Sequence, residues 1–167
     1  MVRFQRTVPA PVNPARNSDI SCRFHVRKDF EHCCAYCLRH EDWAEPETFE
    51  LDHFYPKSLF PEKQYDFYNL YYACSRCNSF KWNHFPSARL ASQGIEFIDF
   101  CRDDFERHYE ISASGIWEPR TLSAKYMIDT LNLNSNHLVR QRLFLARIGY
   151  DIEKPNPEQI IAVTLED

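Results

Sequence analysis

Residues 74–85 read CSRCNSFKWNHF, with Cys74 and Cys77 two residues apart at the head of a short run that stops before Pro86. A C-x-x-C turn feeding a helix is half of a metal-binding knuckle pair. The other half lies upstream in HCCAYC, residues 32–37, where Cys34 and Cys37 repeat the spacing. Cys33 is adjacent, but only Cys34 keeps the two-residue gap to Cys37. Four thiolates complete the tetrahedron of a structural zinc site, so Cys34, Cys37, Cys74 and Cys77 are the expected zinc ligands. His32 and His84 lie close by and are not needed. Cys22, Cys33 and Cys101 are expected as small buried hydrophobes.

Residues 38–73 separate the knuckles, which is longer than a common finger allows. Working inward, ETFELDHF (47–54) alternates as a strand does, and NLYYA (69–73) reads as a second. A loop marked by Pro56 and Pro61 joins them. The centre is therefore strand, loop, strand, helix, with the cysteine pairs around most of it. Asp52 and His53 sit side by side on the first strand and Asn78 directly follows Cys77. If zinc holds strand and helix together, Asp52 and Asn78 converge. One charged and one neutral oxygen donor suit a hard cation such as Mg²⁺ or Mn²⁺. His53 can take a proton from water at neutral pH. Taken singly, each residue has a plain structural reading: a carboxylate paired with a nearby Lys or Arg, a core histidine, a helix cap. Their order around the paired cysteines favours chemistry.

CAYC (34–37), ELDHFYPKS (50–58), YNL (68–70) and CSRCNSFK (74–81) together resemble the HNH endonuclease family, over roughly residues 30–85. The resemblance implies an α+β fold with a ββα-metal core bracketed by a four-cysteine zinc ribbon. It implies a DNA-hydrolysing enzyme in which His53 is the general base. Asp52 and Asn78 would hold the catalytic Mg²⁺ or Mn²⁺, Asn69 would brace the loop and orient His53, and Lys81 would contact phosphate. The segment FIDFCRDDFERHYEISASGIWEP with LNLNSNHLVRQR looks like an extension found in a bacterial subgroup of the family. Some members of that subgroup act in anti-phage systems of the Septu and retron types beside an ATPase partner.

Outward from the core, residues 1–17 are expected to form an extended N-terminal arm, marked by Pro9, Pro11 and Pro14. Residues 18–150 are expected to form one HNH nuclease domain, with a core at 30–85 and a C-terminal extension at 86–150. An acidic tail spans 151–167. A helix capped by Asn17, Ser18 or Asp19 would turn Ile20, Phe24 and Phe30 inward. HYEISASGIWEPRT reads as a hairpin turning at Ser114-Gly115. LSAKYMIDTLNL and HLVRQRLFLARI read as helices, the second capped by Asn134 or Asn136. The aromatic run from Phe54 to Tyr72 is expected to be mostly core.

The formal net charge is −4 in a chain of 167 residues, which argues mildly against avid nucleic-acid binding. Its distribution is uneven, because Arg3, Arg6, Arg16, Arg23, Arg27 and Lys28 make the first segment basic and available to phosphate. No apolar run is long enough to span a membrane, and the arm has no secretion-signal pattern. A cytoplasmic location is expected. A zinc-stabilised module that binds nucleic acid or protein without cutting is the competing reading. DNA against RNA, strandedness and oligomeric state are left open by the sequence.

Overall fold

A two-stranded antiparallel hairpin running straight into a helix forms the centre of the computed structural model, which describes residues 3–10, 20–43 and 49–150. Strand β1 (Phe49–His53) pairs with β2 (Leu70–Cys74) so that Phe49 opposes Cys74, Asp52 opposes Tyr71 and His53 opposes Leu70. All five residues of β2 are buried, whereas in β1 only Phe49 and Asp52 are buried, Glu50 is exposed and Leu51 and His53 are half-buried. Burial on β1 therefore does not follow the period of two: Glu50 and Asp52 share a face, yet Glu50 is exposed and Asp52 is covered. Helix α2 (Ser75–Lys81) starts where β2 ends, and its cap is a cysteine: the Cys74 sulfur accepts the Cys77 N–H at 3.5 Å.

Helix α1 (Ile20–Asp29) buries Cys22 and Val26 at a four-residue interval, and Phe30 continues that stripe. Phe24 lies two residues off it and is 58 % exposed, contrary to expectation. The proposed caps of this helix, Asn17 to Asp19, fall outside the described residues. The first knuckle is a turn closed by the Leu38 N–H on the Cys34 carbonyl, and the Ala35 N–H donates to the Tyr72 carbonyl, pinning it to β2. Of the aromatic run, Phe54, Phe67, Tyr71 and Tyr72 are buried and Tyr55 packs against the core, while Tyr65 and Tyr68 are exposed, so the run is mostly core as expected.

The arm is less free than its prolines suggest. Phe4 is fully buried, and the Arg3 and Phe4 N–H groups both donate to the Phe100 carbonyl. Arg6 binds Asp29 and the Phe67 carbonyl and lies over the Phe67 ring. Arg3 binds Glu31, and both arginine side chains are nearly inaccessible. They are structural, not a phosphate-binding face.

Short helices α3 (Ala88–Ala91) and α4 (Phe105–His108) lead into hairpin β3 (Tyr109–Ile111) and β4 (Trp117–Pro119). Helices α5 (Leu122–Leu131) and α6 (Asn136–Arg147) follow, and α5 packs against α2. Ser135, not Asn134 or Asn136, is the N-cap residue of α6. The Asn134 amide is engaged elsewhere: it brackets the Trp117 backbone, accepting from its N–H and donating to its carbonyl, both at 2.9 Å. Residues 151–167, the acidic tail, lie outside the described residues.

Candidate active site on the hairpin and helix

Cys34, Cys37, Cys74 and Cys77 are all buried, and their sulfurs lie within 4.8 Å of one another. Cys37 and Cys74 sulfurs are 3.9 Å apart. A tetrahedron with metal–sulfur bonds of about 2.3 Å places sulfurs roughly 3.8 Å apart, so the set fits zinc or another thiophilic ion. Cys33 stays out of it: burial pushes its thiol up to about 12, and the Arg3 guanidinium donates to its sulfur. His32 faces Glu41 at 3.0 Å. The metal group among the described residues consists of the four cysteines of the two C-x-x-C pairs.

The clamp aligns one face of β1 with one face of α2. Glu50 and Asp52 share a strand face because they are two apart, and Asn78 and Lys81 share a helix face because they are three apart. Two rungs result. In the inner rung the Lys81 ammonium lies 2.9 Å from Asp52 Oδ2, and Tyr36 donates its hydroxyl to the same oxygen. Lys81 also donates to the His53 carbonyl at 2.7 Å. Asp52 is 6 % exposed and Lys81 is fully buried. Burial pushes the Asp52 carboxyl up and the Lys81 ammonium down, each towards its neutral form, and their mutual contact opposes both shifts. Burial, with Asp52 alongside, raises Tyr36 well above the ordinary phenol range, so it remains a hydroxyl donor. In the outer rung the Asn78 amide meets the Glu50 carboxylate at the surface.

His53 projects from the other side of β1 and is half-buried. Its Nε2 lies 2.9 Å from the Gln64 carbonyl. A carbonyl only accepts, so Nε2 carries the proton and the lone pair sits on Nδ1, the tautomer a general base needs. Asn69 anchors the loop that supplies that carbonyl. Its amide accepts from the Tyr55 N–H at 2.7 Å and donates to the Tyr55 and Lys63 carbonyls at 3.0 and 3.1 Å. Asn69 thus fixes residue 63 and the His53 ring takes residue 64.

The structure places Asp52, His53, Asn69, Asn78 and Lys81 on one hairpin-helix unit, with direct partners that the sequence did not disclose. Asp52 and Asn78 make no direct hydrogen bond; Asn78 is joined to Glu50 and Asp52 to Lys81. Lys81, expected at phosphate, is instead sealed inside, because Asp52 and the His53 carbonyl take its ammonium. Glu50 was missed, although its place two residues before Asp52 on an alternating strand puts it on that face.

Comparison with known proteins locates this unit. Residues 34–83 match the HNH endonuclease family. The chain is also similar to Septu protein PtuB of Bacillus thuringiensis, 26 % identical over 121 residues, which cover 67 % of this chain and 41 % of that protein. The chain thus spans less than half the length of this relative. Among the described residues no helix is long and apolar enough to cross a membrane.

Proposed function

We propose that the protein is a metal-dependent endonuclease that hydrolyses DNA phosphodiester bonds, a reading supported by the match of residues 34–83 to the HNH endonuclease family. The observation that carries this reading is the His53 ring, held by Nε2 on the Gln64 carbonyl with its lone pair on Nδ1, beside a zinc-clamped face of oxygen donors. His53 takes the proton of the attacking water. Asn69 keeps the loop, and through it the ring, in place. Asp52 and Asn78 are the proposed holders of Mg²⁺ or Mn²⁺. Both described contacts of Asp52 fall on Oδ2, so Oδ1 is the oxygen Asp52 would offer. The divalent ion would supply charge neutralisation at the scissile phosphate and the leaving 3′ oxygen. Zinc on the four cysteines holds strand to helix. The likeness to the Septu protein supports a role in anti-phage defence; a cytoplasmic location and a partner ATPase are further parts of the proposal.

The test is plasmid cleavage by the zinc-loaded protein with Mg²⁺ or Mn²⁺, beside His53→Ala. Loss of the base should slow cleavage about 10²- to 10⁴-fold. Equal rates would refute His53 as the base. Co-purification from the native host, with a partner ATPase recovered or not, tests the assembly.

A zinc-stabilised binding module is the second reading, favoured by the Lys81 ammonium that already occupies Asp52. Titration with Mn²⁺ separates the two. An ion bound beyond zinc, and lost in Asn78→Ala, supports the nuclease, whereas no ion beyond zinc supports the module.

A further inference from the structure

We propose that the outer face of α2, together with Trp82, is a stacking platform for an unpaired nucleotide, so that the protein takes single-stranded or locally unpaired nucleic acid in preference to intact duplex. This rests on the nucleic-acid reading of the site and names its substrate class. Cys77 and Lys81 turn the inner face of α2 into the core. Ser75, Arg76, Ser79 and Phe80 consequently line a shallow surface depression of about 450 Å³ on the opposite side. Phe80 is 39 % exposed and Trp82, directly after the helix, is 73 % exposed. Of the three tryptophans, Trp117 is fully buried and Trp43 half-buried, which makes the exposure of Trp82 unusual within this fold.

Trp82 also has φ 39° and ψ −110°, a backbone region that suits glycine and strains a bulky side chain. An indole held in solvent on strained backbone gains nothing from burial here. The surface is continuous with the candidate site. Asn78 is three residues from Ser75 and therefore its neighbour on the helix, and the Trp82 N–H donates to the Asn78 carbonyl at 2.8 Å.

The chemistry selects the occupant. Aromatic rings stack on the face of any base, while the two serine hydroxyls supply donors for the adjoining phosphate. Intact duplex hides base faces. The depression is lined by no aliphatic side chain of the kind that fills a protein–protein core and by no carboxylate, which would repel a phosphate backbone.

The test uses zinc-loaded His53→Ala protein without added Mg²⁺ or Mn²⁺, so that binding is read without cutting. Oligothymidylate and a blunt duplex of equal length are titrated, following tryptophan fluorescence and the anisotropy of labelled strand. The single strand should quench fluorescence and bind more tightly than the duplex. Adding Trp82→Ala should weaken single-strand binding roughly 5- to 100-fold, and Trp82→Phe should restore most of it. Zinc content and circular dichroism confirm that each variant is folded. Unchanged binding in Trp82→Ala, equal affinity for duplex, or no binding of either strand would overturn the proposal. In the first case the patch would fall to a protein partner. The catalytic reading fails separately, through undiminished cleavage by His53→Ala, and that result leaves this binding measurement intact.

Discussion

Lys81 is the residue on which strand, helix and the proposed base, His53, meet. Its ammonium touches Asp52 and the His53 carbonyl, so one side chain fixes the end of β1 that carries His53. Removing one member of a buried pair strands the other charge without solvent, which costs about 3–5 kcal/mol. Lys81→Met should therefore lower stability by about that amount, read from the urea midpoint at unchanged slope. Adding Asp52→Asn should recover part of the loss, since the double change removes both charges. A double variant less stable by the full sum of the single losses would show that the pair is not coupled. The sequence disclosed half of this. An acid next to a histidine on a strand must send one side chain inward, and Asp52 is the one. What it pairs with was not legible, because Lys81 after a C-x-x-C reads equally well as a surface cation until the helix phase places it beside Cys77.

Glu41, in a single turn of 3₁₀ helix (Glu41–Trp43), is where three elements are tied. It accepts from Arg27 on α1, from the Tyr72 hydroxyl on β2 and faces His32 in the knuckle. Burial alone would raise its carboxyl, but the hydrogen bonds from Arg27, Tyr72 and His32 win and hold it down at about 2. A carboxyl that is more acidic folded than unfolded contributes stability that is complete above its ordinary value and is lost as pH falls through the folded one. Glu41→Gln should thus destabilise the protein by about 1–2 kcal/mol at pH 7, a charged hydrogen-bond hub partly screened by solvent. The gap to wild type should close as pH drops from 4.5 towards about 2. Both proteins shed thiolate-bound metal alike in acid, so the difference between paired denaturant melts isolates Glu41. A gap constant with pH would sink the assignment. At this scale the longer elements were legible from period and caps, as in the hairpin, α5 and the turn at Gly115. Helices α3 and α4, four residues each, are too short to show a period, and the cap of α6 went to Ser135 because Trp117 claimed Asn134.

Across the whole molecule the four sulfurs stand where elements from distant parts of the chain converge. Each cysteine pair comes from one side of the long insert, Ala35 beside the first pair is hydrogen-bonded to β2, and α5 lies on the helix that carries the second. Further out, Arg39 meets His137 of α6 at 2.8 Å and Gln141 donates to the Trp43 carbonyl, so the C-terminal helix also reads the position of the first knuckle. Metal affinity in such a site is folding free energy, since the unfolded chain holds no preformed tetrahedron. Cys77→Ser should therefore drop bound zinc from about one equivalent to well below it and abolish a single cooperative melt, with the proposed nuclease activity lost alongside. Gly115→Ala supplies the contrast. Its φ is 76° and an added Cβ would press within 3.0 Å of Leu143 and the Val139 carbonyl, so it should destabilise by about 1 kcal/mol or more. It lies on the distal hairpin, and the zinc content measured by mass spectrometry should stay at about one equivalent. If Gly115→Ala released zinc as readily as Cys77→Ser, the metal would be reporting global unfolding and not clamping the hairpin to the helix. If Cys77→Ser melted as wild type does, the cluster would be dispensable to the fold.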